Sequence, residues 1–227
     1  MKNWDVLHKT ALFSDITEAG ATTLLTCLSA KEKSFVKGAY VYLMGDENCK
    51  PGVVLSGKLY LVKEDCFGNS TLMATLTPGS LFGEALVHTK DKTMPANLFA
   101  VTDCRVLFFD YEKIPSPCEK LCPCHTQFLK NLLEVISEKN KFLTQRIGHI
   151  TKRSLREKIC AYLSEERTRQ NSDTVVIPYN RRELAEYLAA DRSALSAELS
   201  RMQKEGMLTY DKNRFVLKSR QAFPSDN

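Results

Sequence analysis

The amino-acid sequence has no apolar run long enough to cross a bilayer, and its first residues, MKNWDVLHKT, lack the apolar core of a signal peptide. We therefore expect a cytoplasmic protein. Internal repeats and low-complexity tracts are absent as well. The chain of 227 residues is long enough for one large domain or two modest ones, and its 43% hydrophobic and 26% charged residues are ordinary for a globular protein.

The residue patterns of common enzymes are also missing. The sequence shows no paired carboxylates, no nucleophile beside a base and no glycine-rich loop for a nucleoside triphosphate. The isolated histidines His8, His88 and His149 are of a kind that is more often structural or solvated than catalytic. We therefore expect that the protein is not an enzyme.

Eight cysteines are too few for a disulfide scaffold in a chain of this size, and in a cytoplasmic protein they are expected to be reduced. Three are clustered and are considered below. The other five stand far apart and are expected to be unreactive thiols: Cys27, Cys49, Cys66, Cys104 and Cys160.

The net charge is a weak indicator of function, whereas its distribution is more informative. A formal charge of +5 would not by itself indicate a nucleic-acid partner. However, the basic segments TKRSLREK and NRR both lie in the last third of the chain.

The order of segments predicts an α+β protein. Apolar residues at helical spacing within residues 1–33 predict a short helical lead-in. Between Ser34 and Asp110, seven of the ten glycines punctuate short β-prone segments. These segments, which predict a small β-barrel or jelly roll, are YVYLM, GVVLS, KLYLVKE, TLMATLT, LFAVT and RVLFFD.

A long helix is predicted after the β region, because neither glycine nor proline interrupts residues 126–147. It carries two apolar stripes, which indicate that one face packs on its own domain and the other on a second copy of the chain. We therefore expect a homodimer. One stripe contains Leu129, Leu133, Ile136, Leu143 and Ile147, and the other contains Phe128, Leu132, Val135 and Phe142.

Residues 180–218 predict two helices with a short turn between them, followed by a β-hairpin. Asn180 and Glu183 have the spacing of a capping box, and Asp191 can cap a second helix. One face of that second helix is apolar, and the other carries small polar groups and arginine, which suits the major groove of DNA. The expected DNA contacts are Arg192, Ser193, Ser196, Ser200 and Arg201, with Arg181 and Arg182 near phosphates.

The segments PGSLFGEAL and RRELAEYLAADRSALSAELSRMQKEGML, with the long helix between them, resemble the CRP/FNR family of bacterial transcription regulators over nearly the whole chain. The resemblance implies a cyclic-nucleotide-binding-type β-barrel sensor at residues 1–125 and a dimerisation helix at 126–149. It also implies a winged helix-turn-helix at 150–227 that binds a palindromic promoter site. RNA polymerase is then a candidate partner.

The chain departs from the family on the second helix of the DNA-binding motif. Family members commonly carry a glutamate and, one helical turn later, an arginine that read bases. Here those positions are Ser193 and Ala197, and Arg192 is the long donor at the start of the helix. The usual half-site sequence is therefore not expected.

A second departure concerns the phosphate of a cyclic nucleotide. In family members that bind one, a glutamate after Phe-Gly takes the ribose hydroxyl and an arginine further along the loop pairs with the phosphate. Glu84 keeps the first role, but Met94 and Pro95 stand where the phosphate would bind, and Lys90 and Lys92 at the loop tip are expected to be solvated. Because methionine cannot neutralise a phosphate and proline offers no N–H, we expect that cyclic AMP does not bind tightly. An effector pocket is expected at Phe82, Gly83, Glu84 and Met94, together with Leu143 and Thr144.

The segment CEKLCPCH places three thiols and an imidazole within eight residues, as Cys118, Cys122, Cys124 and His125. Such a set could hold a metal ion such as zinc, or an iron–sulfur cluster, although the spacing differs from the C-x2-C loop of common zinc sites. Reduced thiols without metal are the alternative. The position directly before the long helix would allow a bound metal or a disulfide to act on the DNA-binding domains.

The leading interpretation is therefore a DNA-binding transcription regulator controlled by an effector other than a cyclic nucleotide, or by redox or metal state. The alternative is a cyclic-nucleotide-type regulatory module that acts on a protein partner. Such a module would not need the helix-turn-helix.

Overall fold

The computed structural model describes residues 3–66, 70–86, 93–114, 123–219 and 223. The chain divides into two compact units, Met1–Glu138 and Lys139–Asn227, and the division lies within a single long helix. In the part of the chain that is described, no helix combines the length and the apolar character needed to span a membrane.

The N-terminal unit begins with helices and continues as a strand-rich domain. Its helices are α1 (Trp4–Leu7), α2 (Glu18–Cys27) and the first part of α3 (Pro123–Ile150). Its strands are β1 (Lys31–Phe35), β2 (Tyr40–Tyr42), β3 (Gly52–Ser56), β4 (Leu59–Glu64), β5 (Ser70–Leu76), β6 (Leu81–Phe82), β7 (Asn97–Ala100) and β8 (Cys104–Phe108). Short 3-10 turns lie at Ala11–Phe13, Glu84–Leu86 and Tyr111–Lys113.

The strands of this unit form two antiparallel sheets, ordered β1-β8-β3-β6 and β2-β7-β4-β5. Strand β3 contributes side chains to both faces of its sheet, because alternate side chains of a strand point to opposite sides. Its first four residues are buried, so both faces are covered. Val54 packs into a cluster with residues of both sheets, and Val53 and Leu55 pack into a second cluster with the helices. The predicted α+β class with a jelly-roll β domain is confirmed.

The two apolar stripes of α3 differ in their exposure. Phe128 and Leu132 join the buried cluster formed with α1 and α2. Leu133, Leu143 and Ile147, from the other stripe, are exposed by 65%, 52% and 57%. The separation is incomplete, because Leu129, on the stripe of Leu133, packs against the same cluster, and Phe142, on the stripe of Phe128, is 43% exposed. Leu133, Leu143 and Ile147 therefore remain as apolar surface of α3.

The C-terminal unit contains three helices and a small sheet, in addition to the last turns of α3. The elements are α4 (Leu155–Gln170), β9 (Thr174–Val176), α5 (Arg181–Tyr187), α6 (Arg192–Lys204), β10 (Leu208–Asp211) and β11 (Arg214–Leu217). The antiparallel order is β10-β11-β9, so that the predicted hairpin is present and β9 joins it as a third strand.

Local capping determines where α5 and α6 begin. The Asn180 side chain accepts the backbone N–H groups of Arg182 and Glu183, and the Glu183 side chain accepts the Asn180 N–H, which completes the predicted capping box. Asp191 caps α6 as expected. Between the helices Ala189 has a φ of 49°, a left-handed conformation that gives the tight turn at a cost in backbone strain.

Candidate nucleic-acid interface and effector pocket

Helix α6 has a fully buried face and a face of small side chains. The buried face consists of Leu195, Leu199 and Met202, each without solvent exposure. The opposite face carries the exposed Ser193, Ala197 and Ser200 and the half-buried Ser196. Arg192, in the first turn, is exposed and pairs with no carboxylate among the described residues. A helix with so little bulk on one face can approach the floor of a major groove closely.

The hydroxyl protons on this face are directed to acceptors within the helix. Ser196 Oγ donates to Arg192 O at 3.0 Å, and Ser200 Oγ donates to Ser196 O at 3.0 Å. Ser193 Oγ donates to Asp191 Oδ1, which also accepts the Ser193 N–H at 2.8 Å. These hydrogen bonds, that from the Ser193 hydroxyl first, lower the pKa of Asp191, so the carboxylate is charged at neutral pH. The face therefore presents oxygen lone pairs.

An ion-pair network joins α6 to α4. Arg156 Nε donates to Glu198 at 2.6 Å, and its terminal nitrogens donate to Glu205 at 2.7 and 2.9 Å. Arg201, a predicted DNA contact, donates to Glu198 at 3.0 Å, although its side chain is 67% exposed. Because Glu198 is 8% exposed, the two arginines neutralise a carboxylate that would be costly to bury alone. Sequence reasoning missed Arg156 as a positioning residue, although it lies in the basic segment TKRSLREK.

The two arginines that open α5 lie in different surroundings. The Arg181 guanidinium lies over the rings of Tyr210 and Phe215 at 4.8 and 5.6 Å and donates to Lys212 O at 3.3 Å. Desolvation there lowers its pKa. Arg182 is exposed, with an ion pair of 3.5 Å to Glu186. Arg181 therefore holds the hairpin, and Arg182 has the exposure that the predicted phosphate contact requires.

The last turns of α3 hold α5 through Tyr187. Arg146 donates to the carbonyls of Tyr187 and Glu186 at 3.0 and 2.9 Å, which caps the end of α5. The Phe142 ring lies 5.9 Å from the Tyr187 ring, and His149 Nδ1 lies 3.0 Å from the Tyr187 hydroxyl. None of these contacts could be inferred from spacing, because they join segments more than thirty-five residues apart.

His149 is buried among charged groups and aromatic rings of the same unit. Its Nε2 lies 2.9 Å from Glu165 Oε2 on α4. Burial lowers the pKa of His149, Glu165 opposes that shift, Lys152 adds to it, and Glu166 opposes it. The imidazole is therefore mainly neutral at pH 7 and joins α3, α4 and α5.

Two residues of the predicted effector pocket lie in the packed interior of the N-terminal unit. Phe82 and Met94 are 5% and 4% exposed and belong to the buried cluster of the two sheets. The Met94 backbone is fixed by bonds to Asp46 O and Gly45 N at 2.9 and 2.8 Å. Met94 thus fills the domain interior at the position where the family resemblance would place a phosphate-binding arginine.

The turn that follows β6 has a left-handed residue at Gly83. Gly83 has a φ of 74°, and a β-carbon on it would lie 3.0 Å from Pro51 Cα, so the position favours glycine. Glu84 follows, half-buried, at the start of a 3-10 turn. Leu143 and Thr144 belong to the C-terminal unit, where Leu143 is exposed and Thr144 Oγ1 donates to Asn140 O at 2.9 Å.

Two of the four predicted metal ligands, Cys118 and Cys122, lie outside the described residues. Cys124 packs against α2, where a β-carbon on Gly20 would lie 2.4 Å from its Sγ. His125 is 4% exposed, with Nε2 2.7 Å from Ile114 O, and its Nδ1 has no hydrogen-bond partner within the part of the chain that the structure describes. Within the part of the chain that is described, no three His, Cys, Asp or Glu side chains come together as a metal site.

Two family profiles match this chain. Residues 32–120 match the cyclic nucleotide-binding domain, and residues 157–223 match the Crp-like helix-turn-helix domain. Together the matches span more than half of the chain. No curated protein matches it in sequence.

Solved structures share the fold. A mutant of CooA from Carboxydothermus hydrogenoformans matches over 96% of this chain and 93% of its own, with 19% identity and a TM-score of 0.59. CLP, a c-di-GMP responsive global regulator of Xanthomonas campestris, matches over 88% and 99%, with 17% identity and a TM-score of 0.55. CprK complexed with OCPA matches over 86% and 91%, with 16% identity and a TM-score of 0.58. At such identities the similarity shows the fold alone.

Proposed function

This chain belongs to the CRP/FNR family of DNA-binding transcription regulators, and from that premise we propose that it acts as a cytoplasmic homodimer on a palindromic promoter site. Its effector is something other than a cyclic nucleotide, and RNA polymerase is the proposed second partner at the promoter. The family consists of regulators, not enzymes.

The exposed face of α6 is the observation that supports recognition of DNA bases by this helix. Small side chains leave room for the helix in a major groove, and the exposed Arg192 can donate two hydrogen bonds to guanine O6 and N7. The exposure of Arg182, at the start of the supporting helix, supports its proposed contact with a phosphate.

Substitution of Arg192 tests this assignment. Arg192→Ala should weaken binding to a duplex recovered by selection roughly 5- to 150-fold, with little effect on a scrambled duplex at the same salt concentration. Arg182→Ala is the matched control, because loss of a phosphate contact weakens both complexes to a similar extent. Equal losses on both duplexes for Arg192→Ala would contradict base reading by this side chain.

The exposed stripe of α3 supports the homodimer. Leu133, Leu143 and Ile147 recur at helical spacing along one face and remain more than half exposed in the single chain. A second copy that packed the same stripe against it would remove this apolar surface from water.

The interior position of Met94 supports an effector other than a cyclic nucleotide. Its side chain is buried in an apolar cluster, and neither it nor Pro95 offers a charge or a side-chain donor to a phosphate. Burying an uncharged polar group without a hydrogen-bond partner costs roughly 2–7 kcal/mol, and burying a charged phosphate without a partner costs more. Calorimetric titration with cyclic AMP should give no binding in the micromolar range, and affinity in that range would contradict the proposal.

A metal ion or an iron–sulfur cluster held by Cys118, Cys122, Cys124 and His125 is the second candidate for control. The carbonyl of Ile114 can only accept, so His125 Nε2 donates to it, and the buried Nδ1 has no hydrogen-bond partner among the described residues. A second-shell hydrogen bond of this kind fixes the ring of most metal-binding histidines. When bound, such a centre would supply a charge and a redox state next to α3.

Anaerobic purification tests the second candidate. Elemental analysis should find zinc or iron in the wild-type protein and a strongly reduced content in His125→Ala, with His8→Ala as the control. A metal-free wild-type protein whose DNA affinity is the same when reduced and oxidised would contradict it.

A further inference from the structure

The first turn of α6 carries a pair of acceptors whose chemistry limits the bases it can face. We propose that Asp191 and Ser193 together select the exocyclic amine of a cytosine or an adenine in the base pair beside the guanine read by Arg192. The inference rests on the proposed function, because it requires α6 to lie in a major groove.

The hydroxyl of Ser193 is oriented by the protein. Its one proton is donated to Asp191 Oδ1, so that only lone pairs remain toward the exposed side of the helix. The side chain is exposed, and it follows Arg192 directly in the first turn.

The carboxylate of Asp191 is charged and exposed. Three hydrogen bonds from the start of α6 hold one oxygen, Oδ1, which leaves Oδ2 to accept from another partner. The same bonds lower the pKa of the carboxyl, so it does not become a donor at neutral pH. Asp191 and Ser193 therefore present two acceptors and no donor on either side of Arg192.

The bases differ in whether their major-groove edges can donate a hydrogen bond to this pair of acceptors. Cytosine N4 and adenine N6 are donors, whereas guanine N7 and O6 and thymine O4 are acceptors. An amine would gain a hydrogen bond to the pair, and a guanine or thymine edge would place its lone pairs against a carboxylate. Discrimination thus has an attractive part and a repulsive part.

Removal of single amines from the DNA tests the inference in a strand-specific way. In the half-site recovered by selection, each cytosine is replaced in turn by 2-pyrimidinone, which lacks the N4 amine, and each adenine by purine, which lacks the N6 amine. The full-length wild-type protein should lose about tenfold in affinity at one position next to the Arg192 guanine. Ser193→Ala and Asp191→Asn should bind both duplexes with nearly equal affinity.

The variants separate recognition from folding. Asparagine caps a helix as well as aspartate does, so Asp191→Asn should keep the thermal unfolding midpoint of the wild type. Thr168→Ala removes an exposed hydroxyl on α4, outside the proposed DNA contacts, and should still show the full loss of affinity when the critical amine is removed.

Two kinds of failure are distinguishable. If selection enriches a palindrome but no amine substitution weakens the wild-type complex, or if both variants keep the wild-type loss, the acceptor pair is wrong and DNA reading stands. If selection enriches no sequence, the proposed function fails and the inference fails with it.

Discussion

The ion-pair junction of α4 and α6 gives a quantitative prediction about how α6 is held in place. Arg156→Met would keep much of the apolar stem and remove the guanidinium, which bonds Glu198 at 2.6 Å and Glu205 at 2.7 and 2.9 Å. Among the described residues, Glu198 would then keep only the bond from Arg201 at 3.0 Å. Hydrogen bonds to charged groups contribute about 1.5–3 kcal/mol to stability. We therefore expect the loss of the bond to Glu198 to lower the free energy of unfolding by an amount in that range.

The two carboxylates should differ in their coupling to Arg156. The Glu198 side chain is 11% exposed and that of Glu205 is 46% exposed, and solvent screens the second pair more strongly. A double-mutant cycle of Arg156→Met with Glu198→Gln should therefore give a larger coupling energy than the cycle with Glu205→Gln. Arg156 lowers the pKa of Glu205, so that smaller contribution is present above the ordinary glutamate pKa and is lost as the pH falls.

Hydrogen exchange of the full-length protein is the suitable assay, because it reports the opening of α6 separately from that of the sensor domain. Backbone amides of α6 should exchange faster in Arg156→Met, while those of β3 and β8 should not change. Equal coupling energies for the two glutamates, or unchanged protection of α6, would refute this account of the junction.

Three further predictions concern other parts of the chain. Gly20→Ala should destabilise the N-terminal unit by about 1–3 kcal/mol in thermal unfolding, because its β-carbon would meet Cys124 Sγ, and Cys124→Ala should restore most of that loss; no rescue would contradict the contact. Because burial lowers the pKa of His149, the unfolded chain binds more protons near its ordinary pKa of 6.5, so stability should fall as the pH drops below about 6.5. His149→Gln should remove this dependence of stability on pH, and an unchanged dependence would show that another group causes it. Leu143→Glu should convert the dimer to monomer in sedimentation at micromolar concentration, and a persistent dimer would place the interface elsewhere.

The strands could be predicted where burial imposes an alternating or fully apolar pattern. All six strands predicted in the β region are present, and β3 is buried from Gly52 to Leu55, as its sequence GVVLS suggests. Strand β1 was not predicted, because Lys31, Glu32 and Lys33 are exposed and the strand pairs only with β8 at the edge of its sheet. Strand β6 was missed because two residues carry no periodic signal.

The candidate site was predictable where its determinants are local. Asn180 and Asp191 cap the helices that the sequence assigned to them, because caps act within three residues. The position of Arg181 over the hairpin rings depends on a contact with Tyr210, far along the chain, and no spacing rule reveals it. Likewise, the family resemblance implied that Met94 stands where a phosphate-binding arginine would lie, but its burial in the domain core depends on the packing of two sheets.

The long helix expected at residues 126–149 is present as α3, Pro123–Ile150, and the two compact units divide within it, after Glu138. Arg146 and His149 account for the place of the last turns of α3 in the C-terminal unit, since both bond Tyr187 of α5. The last turns of α3 therefore belong to the same compact unit as α6.

Selection of bound DNA from a random pool by the full-length protein tests the central claim most directly. We predict an inverted repeat whose two halves each contain a guanine, and loss of the preference at that guanine when the selection is repeated with Arg192→Ala. Recovery of no common sequence, or of the same sequence by wild type and Arg192→Ala, would contradict the account.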